Sequence, residues 1–329
     1  MSALRYDVFN GDADGICALH QMRLHQPAYT ALVTGVKRDI ALLQRVPHGA
    51  EAQVLVLDIS LDANLGHLRR LLDEGAEISY FDHHAADGAF AHPRLHLHCN
   101  GAAEVCTSIL VDRHLGGRYR RWAITAAFGD NLEPEARQLA LGLDLDDEAI
   151  DALAQLGQAI NYNAYGETVD DLHIPPATLY RSLNGYDDPF DFITASDAYR
   201  ALHAGYREDC ERLRDLRPYW EQPGGAIYLL PEGPWARRIS GVLANRLAAR
   251  RDGASFAVLN ERSDGSYLVS VRSGAPDLRS ACGFCQQFDG GGGRVAAAGI
   301  NRLPQQDLGS FMARFRQYFG LSEGAHHAR

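Results

Sequence analysis

A chain of 329 residues is long enough for two ordinary domains, since a domain usually contains about 100–200 residues. Its 46% of hydrophobic and 22% of charged residues are typical of a globular protein, and no apolar run approaches the roughly 18 residues of a membrane span. The formal net charge of -10 argues against the binding of long nucleic acid, which needs many basic contacts to phosphates. The net charge is still compatible with a small anionic substrate held by a few arginines.

The start of the chain and its thiols indicate a cytoplasmic protein with no membrane partner. No apolar segment follows Met1–Arg5, so we find no secretory signal, and six cysteines do not make a disulfide framework in a chain of this size. Lys37 is the only lysine among the 32 basic residues. We interpret this as a bias of composition and draw no functional conclusion from it. The oligomeric state is left open.

The first part of the chain alternates short apolar runs with helical patterns, which is typical of a parallel α/β sheet. Tyr6–Asn10 is predicted as the first strand, Gly11–Gly15 as a turn and Ile16–His25 as a helix. Val54–Leu57 and Ile78–Phe81 are continuous apolar runs of the buried-strand type. Acidic or imidazole side chains follow each of these strands. Because ligands bind at the carboxyl ends of strands in open α/β sheets, we expect these segments to converge on one site.

Helical patterns predominate in the middle of the chain. They cover Glu104–His114, Trp122–Phe128, Pro134–Leu143, Asp147–Ile160, a stretch around Pro176–Leu183 and a long charged helix at Ala195–Arg217. Pro218 and Pro223-Gly224-Gly225 then interrupt the chain, so we place the domain boundary there. The predicted domains are residues 1–194 and 224–329, joined by a connector helix and linker over 195–223.

The second domain is predicted to be a smaller α/β unit. Its elements are strand Ala226–Leu230, helix Arg238–Arg250, strands Phe256–Asn260 and Tyr267–Arg272, the loop Gly290-Gly291-Gly292-Gly293 and a helix from about Asp307 to Phe319. The four glycines serve either as a flexible linker or as a close-packed segment whose amide N–H groups bind an anion. The small residues Ala296-Ala297-Ala298-Gly299 directly after them favour close packing.

Acidic and imidazole groups at the ends of predicted elements indicate a metal site. They are Asp12 and Asp14 in D-x-D-G, Asp58 after a buried strand, Asp82-His83-His84 after the next strand, and Asp130 after a helix. Each alone has an ordinary explanation as a turn residue, a helix cap or a hydrogen-bonding pair. Hard divalent ions prefer carboxylate oxygen, and Mn²⁺ also accepts imidazole. Their joint order within one α/β pattern therefore predicts a site for such an ion.

Together these motifs resemble those of the DHH phosphoesterase superfamily. The C-terminal Gly291-Gly292-Gly293-Arg294-Val295-Ala296-Ala297-Ala298-Gly299 is similar to the glycine-rich signature of the DHHA1 domain, and Ser270-Val271-Arg272-Ser273 is similar to its V-S-x-R-S strand. The resemblance covers most of the chain. It implies an N-terminal parallel-sheet DHH domain with flanking helices, a smaller C-terminal α/β DHHA1 domain and an active site in the cleft between the domains.

The resemblance also implies a role for each motif residue. Two Mn²⁺ ions would be held by Asp12, Asp14, Asp58, His83 and Asp130, with Asp58 as the bridge, and the same ligands would accept Mg²⁺. Asp82 would orient an imidazole, and His84 would approach the scissile phosphate. The substrate would contact Arg272, Ser273, Gly291, Gly292, Gly293 and Arg294.

The sequence departs from the family pattern in two places. Val8, four residues before Asp12, stands where many members have a metal-binding histidine, and Asn10 stands where RecJ-type nucleases have an acidic residue. One ion site is therefore expected to be weaker and to be completed by Asn10 or water. The DHHA1 signature reads GGGR rather than GGGH, and Arg294 offers a planar phosphate-binding fork instead of an imidazole. This leaves the substrate class open.

The implied activity is a two-metal phosphodiesterase that cleaves short linear dinucleotides such as pGpG, or nanoRNA, to mononucleotides. Cyclic dinucleotides and pAp are the alternative substrates. A nucleotide-binding module without catalysis is the alternative from a different class. Processive digestion of long single strands is disfavoured, because the chain shows neither a further nucleic-acid-binding domain nor a basic channel signature.

Overall fold

The computed structural model describes residues 4–48, 51–250 and 253–321, in two compact units, Met1–Tyr206 and Arg207–Arg329. The division falls inside a helix, Asp197–Arg212. The domain limits at 194 and 224 remain predictions, and the last residues of the predicted second domain, 322–329, lie outside the described part. Among the described residues, no helix combines the length and apolar character needed to cross a membrane.

The first unit is built on a parallel sheet. Its strands are β1 (Arg5–Phe9), β2 (Ala31–Val33), β3 (Gln53–Leu57), β4 (Glu77–Asp82) and β5 (Leu95–Cys99). They form a five-stranded sheet in the order β2-β1-β3-β4-β5, with every pair parallel. The predicted α/β class is confirmed. The sequence pattern predicted β1, β3 and β4 but neither edge strand, because β2 is only three residues long and β5 alternates leucine with histidine.

Helices cover this sheet. They are α1 (Ala13–His25), α2 (Leu61–Asp73), α3 (Thr107–His114), α4 (Arg120–Gly129), α5 (Glu133–Ala140), α6 (Asp147–Tyr162), α7 (Pro176–Leu183), α8 (Pro189–Ala195) and α9 (Asp197–Arg212). Helix α2 was not predicted. The long helix predicted at Ala195–Arg217 is wrong at both ends. It begins only after Ser196, whose hydroxyl accepts the N–H groups of Ala198 and Tyr199 at 3.2 and 3.4 Å, and it stops at Arg212.

Both faces of the sheet are buried, which explains the continuous apolar runs of its central strands. On one face of the sheet, Val54 and Val56 of β3 belong to the hydrophobic cluster that includes the buried leucines of α2. On the other face, Leu55 and Leu57 belong to the cluster that includes the buried apolar residues of α1. A parallel strand buried on both faces needs apolar side chains at every position. The first polar position after such a strand, Asp58, therefore lies at the carboxyl end of β3.

The second unit contains a mixed sheet. Its strands are β6 (Trp220–Gln222), β7 (Gly225–Leu230), β8 (Ser255–Glu261), β9 (Tyr267–Arg272), β10 (Gly291–Gly293) and β11 (Ala297–Leu303). They form a six-stranded sheet in the order β10-β11-β9-β8-β7-β6, in which only β7 and β8 pair in parallel. Its helices are α10 (Pro234–Ala248), α11 (Ala281–Cys285) and α12 (Leu308–Phe319).

The glycine-rich segment is a strand rather than the predicted loop. Gly291 pairs with Ile300 and Gly293 with Ala298, so β10 and β11 form a hairpin. A Cβ atom on Gly291 would lie 1.9 Å from the carbonyl oxygen of Cys285, which shows that the glycine is needed for close packing. The correction follows from tertiary structure, because three glycines have little intrinsic strand preference and pair only when a partner strand is provided.

His20 makes the stability of the first unit depend on pH. Its ring is buried against Trp122 at 4.6 Å, and Nε2 donates to the carbonyl oxygen of Tyr186 at 2.9 Å. Burial lowers the pKa of His20 from 6.5 to about 4. As the pH falls, the unfolded chain therefore takes up the proton first, so the contribution to stability is present above pH 6.5 and is lost as the pH falls towards about 4.

We expect His20→Gln to lose less stability on acidification than the wild type. From pH 7 to pH 4.5 the free energy of unfolding of the wild type should fall by about 2–3 kcal/mol more than that of the variant. Urea unfolding at both pH values measures the difference. His96→Gln is the control, because its side chain is 53% exposed. Equal pH dependence in wild type and His20→Gln would contradict a neutral buried imidazole.

Candidate metal centre

Three predicted site segments meet at the carboxyl ends of the strands of the parallel sheet. Asp12 follows β1, Asp58 follows β3 and Asp82-His83-His84 ends β4, and these three strands are neighbours. Strand β2 lies on one side of β1 and β3 on the other, so the order of the strands reverses between β1 and β3. In open α/β sheets such a reversal opens a crevice at the carboxyl ends, which is where ligands bind. The sheet itself therefore brings the motifs together.

Asp12 is the N-cap of α1. Its Oδ1 accepts the backbone N–H groups of Asp14 and Gly15, both at 3.1 Å. The helix begins at Ala13, so the predicted turn at Gly11–Gly15 is shorter than expected. Gly15 is required for close approach rather than for a turn, since a Cβ atom there would lie 2.3 Å from the carbonyl oxygen of Asn10.

The amino end of α3 fixes two further acids. Asp14 accepts the backbone N–H groups of Thr107 and Ser108 at 2.7 and 2.6 Å, and the Thr107 hydroxyl donates to Asp58 Oδ1 at 3.2 Å. The free N–H groups of a helix start stabilise negative charge. Sequence analysis missed Thr107 and Ser108, because a Thr-Ser pair at the start of a helix is common and does not indicate what it caps.

Asp58 has a left-handed backbone, with φ of 59°. Its N–H donates to the carbonyl oxygen of Phe81 at 3.0 Å, which holds this turn at the end of β3. A non-glycine residue in the left-handed region costs about 1–2 kcal/mol. The surrounding packing offsets this cost and keeps the Asp58 carboxylate at the carboxyl end of β3.

The two histidines lie beside Asp58. His83 Nε2 is 3.4 Å from Asp58 Oδ1 and 3.9 Å from Asp14 Oδ2. Asp58, His83 and His84 each place one ligand atom within 4.8 Å of the others. Asp82 is fully buried and its Oδ1 is 2.6 Å from Nδ1 of His84. The carboxylate predicted to orient an imidazole therefore has a definite partner, His84.

Asp130 caps the carboxyl end of α4. A Cβ atom on Gly129 would lie 2.5 Å from that of Ala13 and 2.8 Å from the carbonyl oxygen of Gly157, so the glycine lets α4 approach α1 and α6 closely. This approach brings Asp130 towards the other acids. Its Oδ2 is buried and has no hydrogen-bond partner among the described residues.

Lys37 enters the same cluster, and sequence analysis missed it. Its Nζ pairs closely with Asp12 Oδ2, lies 3.6 Å from Asp130 Oδ1 and donates to Asn161 Oδ1 at 3.1 Å. Burial alone would lower the pKa of Lys37, yet the charges of Asp12, Tyr165 and Asp130 raise it well above its ordinary value. The available signal was that Lys37 is the only lysine of the chain.

The charges of the cluster are balanced unevenly. Burial would raise the pKa of Asp12, but the adjacent Lys37 ammonium lowers it below its ordinary value. Burial, followed by the charges of Asp14 and Asp12, raises the pKa of Asp58 well above its ordinary value. Burial also raises the pKa of Asp130, more than Lys37 lowers it. Within the described part of the chain, negative charge is thus neutralised at Asp12 and left without a counter-charge around Asp58.

One divalent ion fits the residues around Asp58. Asp14 and Asp58 offer carboxylate oxygens beside the imidazole nitrogen of His83, which is a donor set suited to Mn²⁺ or Mg²⁺, and the charge of Asp130 acts on the same group. Among the described residues, the buried Oδ2 of Asp130 lacks a hydrogen-bond partner and no lysine or arginine pairs with Asp14 or Asp58, as expected of ligands that await a cation.

A second ion on Asp12 does not fit. The oxygens of Asp14 accept neutral backbone N–H groups, whereas Oδ2 of Asp12 carries the Lys37 ammonium and Oδ1 accepts two backbone N–H groups, so a cation on Asp12 would meet a positive charge. Val8 is buried in the apolar core, and the carboxamide of Asn10 is engaged by the N–H of Asp12 at 3.2 Å and the carbonyl oxygen of Lys37 at 3.1 Å. Asn10 therefore does not complete an ion site in this arrangement.

The predicted substrate residues lie together in the second unit. Arg272 is in register with Ala297, and the N–H of Ser273 donates to the carbonyl oxygen of Ala296 at 3.0 Å, so the end of β9 adjoins the β10–β11 turn. Arg272 donates to Asn245 Oδ1 at 2.9 Å, and the Ser273 hydroxyl donates to the carbonyl oxygen of Arg279 at 2.6 Å. Those two groups shape the local structure.

Arg294 is placed differently from its neighbours. It is exposed at the turn after β10, where its N–H donates to the carbonyl oxygen of Ala297 at 2.9 Å, and no described residue bonds its guanidinium. Among the predicted substrate residues, Arg294 therefore has the guanidinium most available to a ligand.

Solved structures of DHH-domain proteins are similar to this chain. The DHH domain of a protein described as a member of a family of ribosomal proteins has a TM-score of 0.64 at 13% identity, over 96% of this chain and 86% of that one. RecJ from Thermus thermophilus, solved with Mn²⁺, has a TM-score of 0.62 at 18% identity, over 97% of this chain and 52% of RecJ.

A pGpG-specific phosphodiesterase, PggH from Vibrio cholerae, has a TM-score of 0.56 at 13% identity, over 97% of this chain and 99% of PggH. Comparison with family models and with curated proteins gives no match. The chain has the DHH-type fold, as the motif resemblance predicted. At these identities the similarity establishes the fold, and it leaves substrate and reaction to be argued from the site.

We expect Asp58→Asn to stabilise the metal-free protein. Burial raises the pKa of Asp58 in the folded protein, so the unfolded chain ionises first and the cost to folding grows as the pH rises above the ordinary value of 3.8, whereas asparagine keeps the shape and tolerates the left-handed backbone. In EDTA at pH 8 the gain in the free energy of unfolding should be about 1–3 kcal/mol, and it should shrink as the pH falls. Thermal unfolding across pH measures it. Lower stability of the variant at every pH would contradict an uncompensated carboxylate.

Proposed function

We propose that this chain, which has the fold of DHH-domain proteins, is a metal-dependent phosphodiesterase that hydrolyses short linear nucleotides, such as pGpG or nanoRNA, to mononucleotides. The observation that carries the proposal is the group formed by Asp14, Asp58 and His83, with His84 held beside it by Asp82. Mn²⁺ is the proposed ion, because the donors are mixed carboxylate and imidazole and RecJ was solved with Mn²⁺.

A bound divalent ion supplies Lewis acidity, which stabilises charge on a phosphate ester and lowers the pKa of water. The protein's own groups position the reactants. Asp14 and Asp58 are held rigidly by α3, so the ligand oxygens do not have to reorganise. In the reaction a water oxygen bonds to phosphorus, the bond to the ester oxygen breaks, and that oxygen takes up a proton.

His84 is the group we assign to the phosphate. Its Nδ1 is bound to Asp82, so Nε2 is the nitrogen left to face a substrate, and the side chain is 41% exposed. Burial lowers the pKa of His84, but the hydrogen bond and charge of Asp82 raise it above its ordinary value overall. A protonated imidazole of this kind donates a hydrogen bond to a phosphate oxygen and stabilises its charge.

A short substrate suits the charge of the molecule. The net charge of -10 disfavours long nucleic acid, whereas Arg294 can bind one terminal phosphate through a bidentate fork. Cyclic dinucleotides and pAp present the same phosphate chemistry in other shapes and are compared in the same assay. The alternative is a protein that binds a nucleotide without hydrolysing it. The Asp12–Lys37 ion pair supports this alternative, because it leaves the two-ion site incomplete.

Purified protein with Mn²⁺ is expected to convert 5′-phosphorylated dinucleotides to mononucleotides faster than longer oligomers, cyclic dinucleotides or pAp, as resolved by chromatography. Asp58→Asn should lower turnover by at least about 10²-fold, because it removes a ligand carboxylate. Asp112→Asn is the control, since Asp112 is also buried but pairs with Arg120 away from this cluster. No turnover of any substrate by protein with bound metal would support the binding-module alternative.

Arg294→Ala is expected to raise KM for a 5′-phosphorylated dinucleotide about tenfold or more, the usual effect of losing a charge-assisted hydrogen bond. The free energy of unfolding should change by less than about 0.5 kcal/mol, because the side chain is exposed. Arg302→Ala, which removes another exposed guanidinium of the same unit, paired with Asp264, is the control. An unchanged KM in Arg294→Ala would remove this residue from the substrate site.

A further inference from the structure

We propose that the ammonium of Lys37 replaces one of the two metal ions, so that the site operates with a single divalent ion and a built-in lysine cation. The inference rests on the proposed function and concerns the ion count, which the motif resemblance implied to be two. It makes Lys37 a catalytic residue that faces the phosphate together with the bound ion.

Asp12 is engaged both by Lys37 and by the start of α1. Lys37 Nζ binds Asp12 Oδ2, the oxygen that a second ion would need, while Oδ1 of Asp12 is used to cap α1. The same ammonium is 3.6 Å from Asp130 Oδ1. An ion bound to Asp12 would therefore lie directly against a positive charge, in a buried environment where such repulsion is strong.

Lys37 is anchored through both its backbone and its side chain. The N–H of Lys37 donates to the carbonyl oxygen of Ala164 at 2.9 Å, and Nζ donates to Asn161 Oδ1 at 3.1 Å. The ring of Tyr165 has its centroid 5.8 Å from Nζ. Backbone and side chain are thus both held by the end of α6 and the segment that follows it, and the side chain is only 28% exposed. A lysine that merely neutralised surface charge would not need this support.

Lys37 is also connected with the two positions, 8 and 10, at which the sequence departs from the family pattern. The resemblance expected a metal-binding histidine at position 8, where this chain has a buried valine. Asn10, the other departing residue, donates from Nδ2 to the carbonyl oxygen of Lys37 at 3.1 Å. Both departures are therefore related to Lys37. Val8 removes a ligand of the second ion, and Asn10 holds the lysine whose ammonium takes over the charge of that ion.

The remaining hydrogen-bonding capacity of Lys37 suits a phosphate. An ammonium has three N–H donors, and Asp12 and Asn161 account for two of them. Among the described residues no hydrogen bond uses the third, because Asp130 Oδ1 lies 3.6 Å from Nζ, so this N–H can bind a substrate oxygen. A fixed positive charge at developing negative charge stabilises a phosphoryl transition state much as a second metal ion does.

Equilibrium binding of Mn²⁺ to the full chain tests the count without relying on turnover. We expect one ion per chain by calorimetry and by elemental analysis after gel filtration. Lys37→Met, which keeps the length of the side chain but removes its charge, should bind a second ion at Asp12. Arg45→Ala removes an exposed cation from the same part of the chain and should still bind one. Two ions on the wild type, or one on Lys37→Met, would overturn the proposal.

Because Lys37 is the only lysine, ¹⁵Nζ-lysine labelling gives a single ammonium signal in NMR spectra. This signal should persist in its salt-bridged position when Mg²⁺ is added and should shift when inorganic phosphate follows. Release of the ammonium to solvent on adding Mg²⁺ alone would show that the ion displaces Lys37 and would overturn the proposal even if Lys37→Met did not fold. Circular dichroism and thermal unfolding establish whether that variant is folded.

In the activity assay, with Mn²⁺ limited to one ion per chain so that no second ion replaces the missing charge, Lys37→Met should lose about 10²–10³-fold in kcat, the usual effect of removing one transition-state charge contact, and Lys37→Arg should recover part of it. The two proposals fail differently. Turnover by a wild type that binds two ions would leave the phosphodiesterase intact and remove the role of Lys37. A wild type that binds one ion without turning over any substrate would remove the phosphodiesterase and leave the ion count.

Discussion

The structure of the first unit depends on keeping several buried carboxylates together at the carboxyl ends of its strands. Asp12, Asp14 and Asp58 are each at most 2% exposed, and ionised acids at such depth are costly unless cations or N–H groups face them. The protein provides the helix start of α3 for Asp14 and an ammonium for Asp12. No cation of the described chain balances Asp58, and this imbalance is the physical reason to place a divalent ion beside it.

The elements around the cluster are arranged by the same requirement. In β3 the run Val54–Leu57 is apolar on both faces, so its first charged group, Asp58, comes at the carboxyl end, next to the reversal of strand order where ligands bind in open α/β sheets. Gly15 and Gly129 remove side chains where backbones approach within van der Waals distance. The left-handed Asp58 shows that the fold accepts local strain to hold a carboxylate in position.

The second unit contributes a different kind of chemistry. The glycine hairpin packs closely enough to exclude side chains, and Arg294 projects from its turn without a partner among the described residues. A guanidinium of this kind can bind phosphate through a planar fork, and its loss costs the fold little because the side chain is exposed. In the proposed function, the first unit would hold the phosphate chemistry and Arg294 of the second would contact the substrate.

The sequence by itself determined the fold class, the strands β1, β3 and β4 and the acidic and imidazole groups at their ends, because apolar runs and motif order are local properties of the chain. Only the tertiary structure decided that Gly291–Gly293 is a strand, that Thr107 and Ser108 hold Asp14, and that Lys37 lies on Asp12. Each of these contacts joins residues that local patterns do not connect; Lys37 and Asp12 are 25 positions apart, and Thr107 and Asp14 are 93 apart. A lone lysine indicates only composition in the sequence, and it becomes a catalytic candidate when folding buries its ammonium among carboxylates.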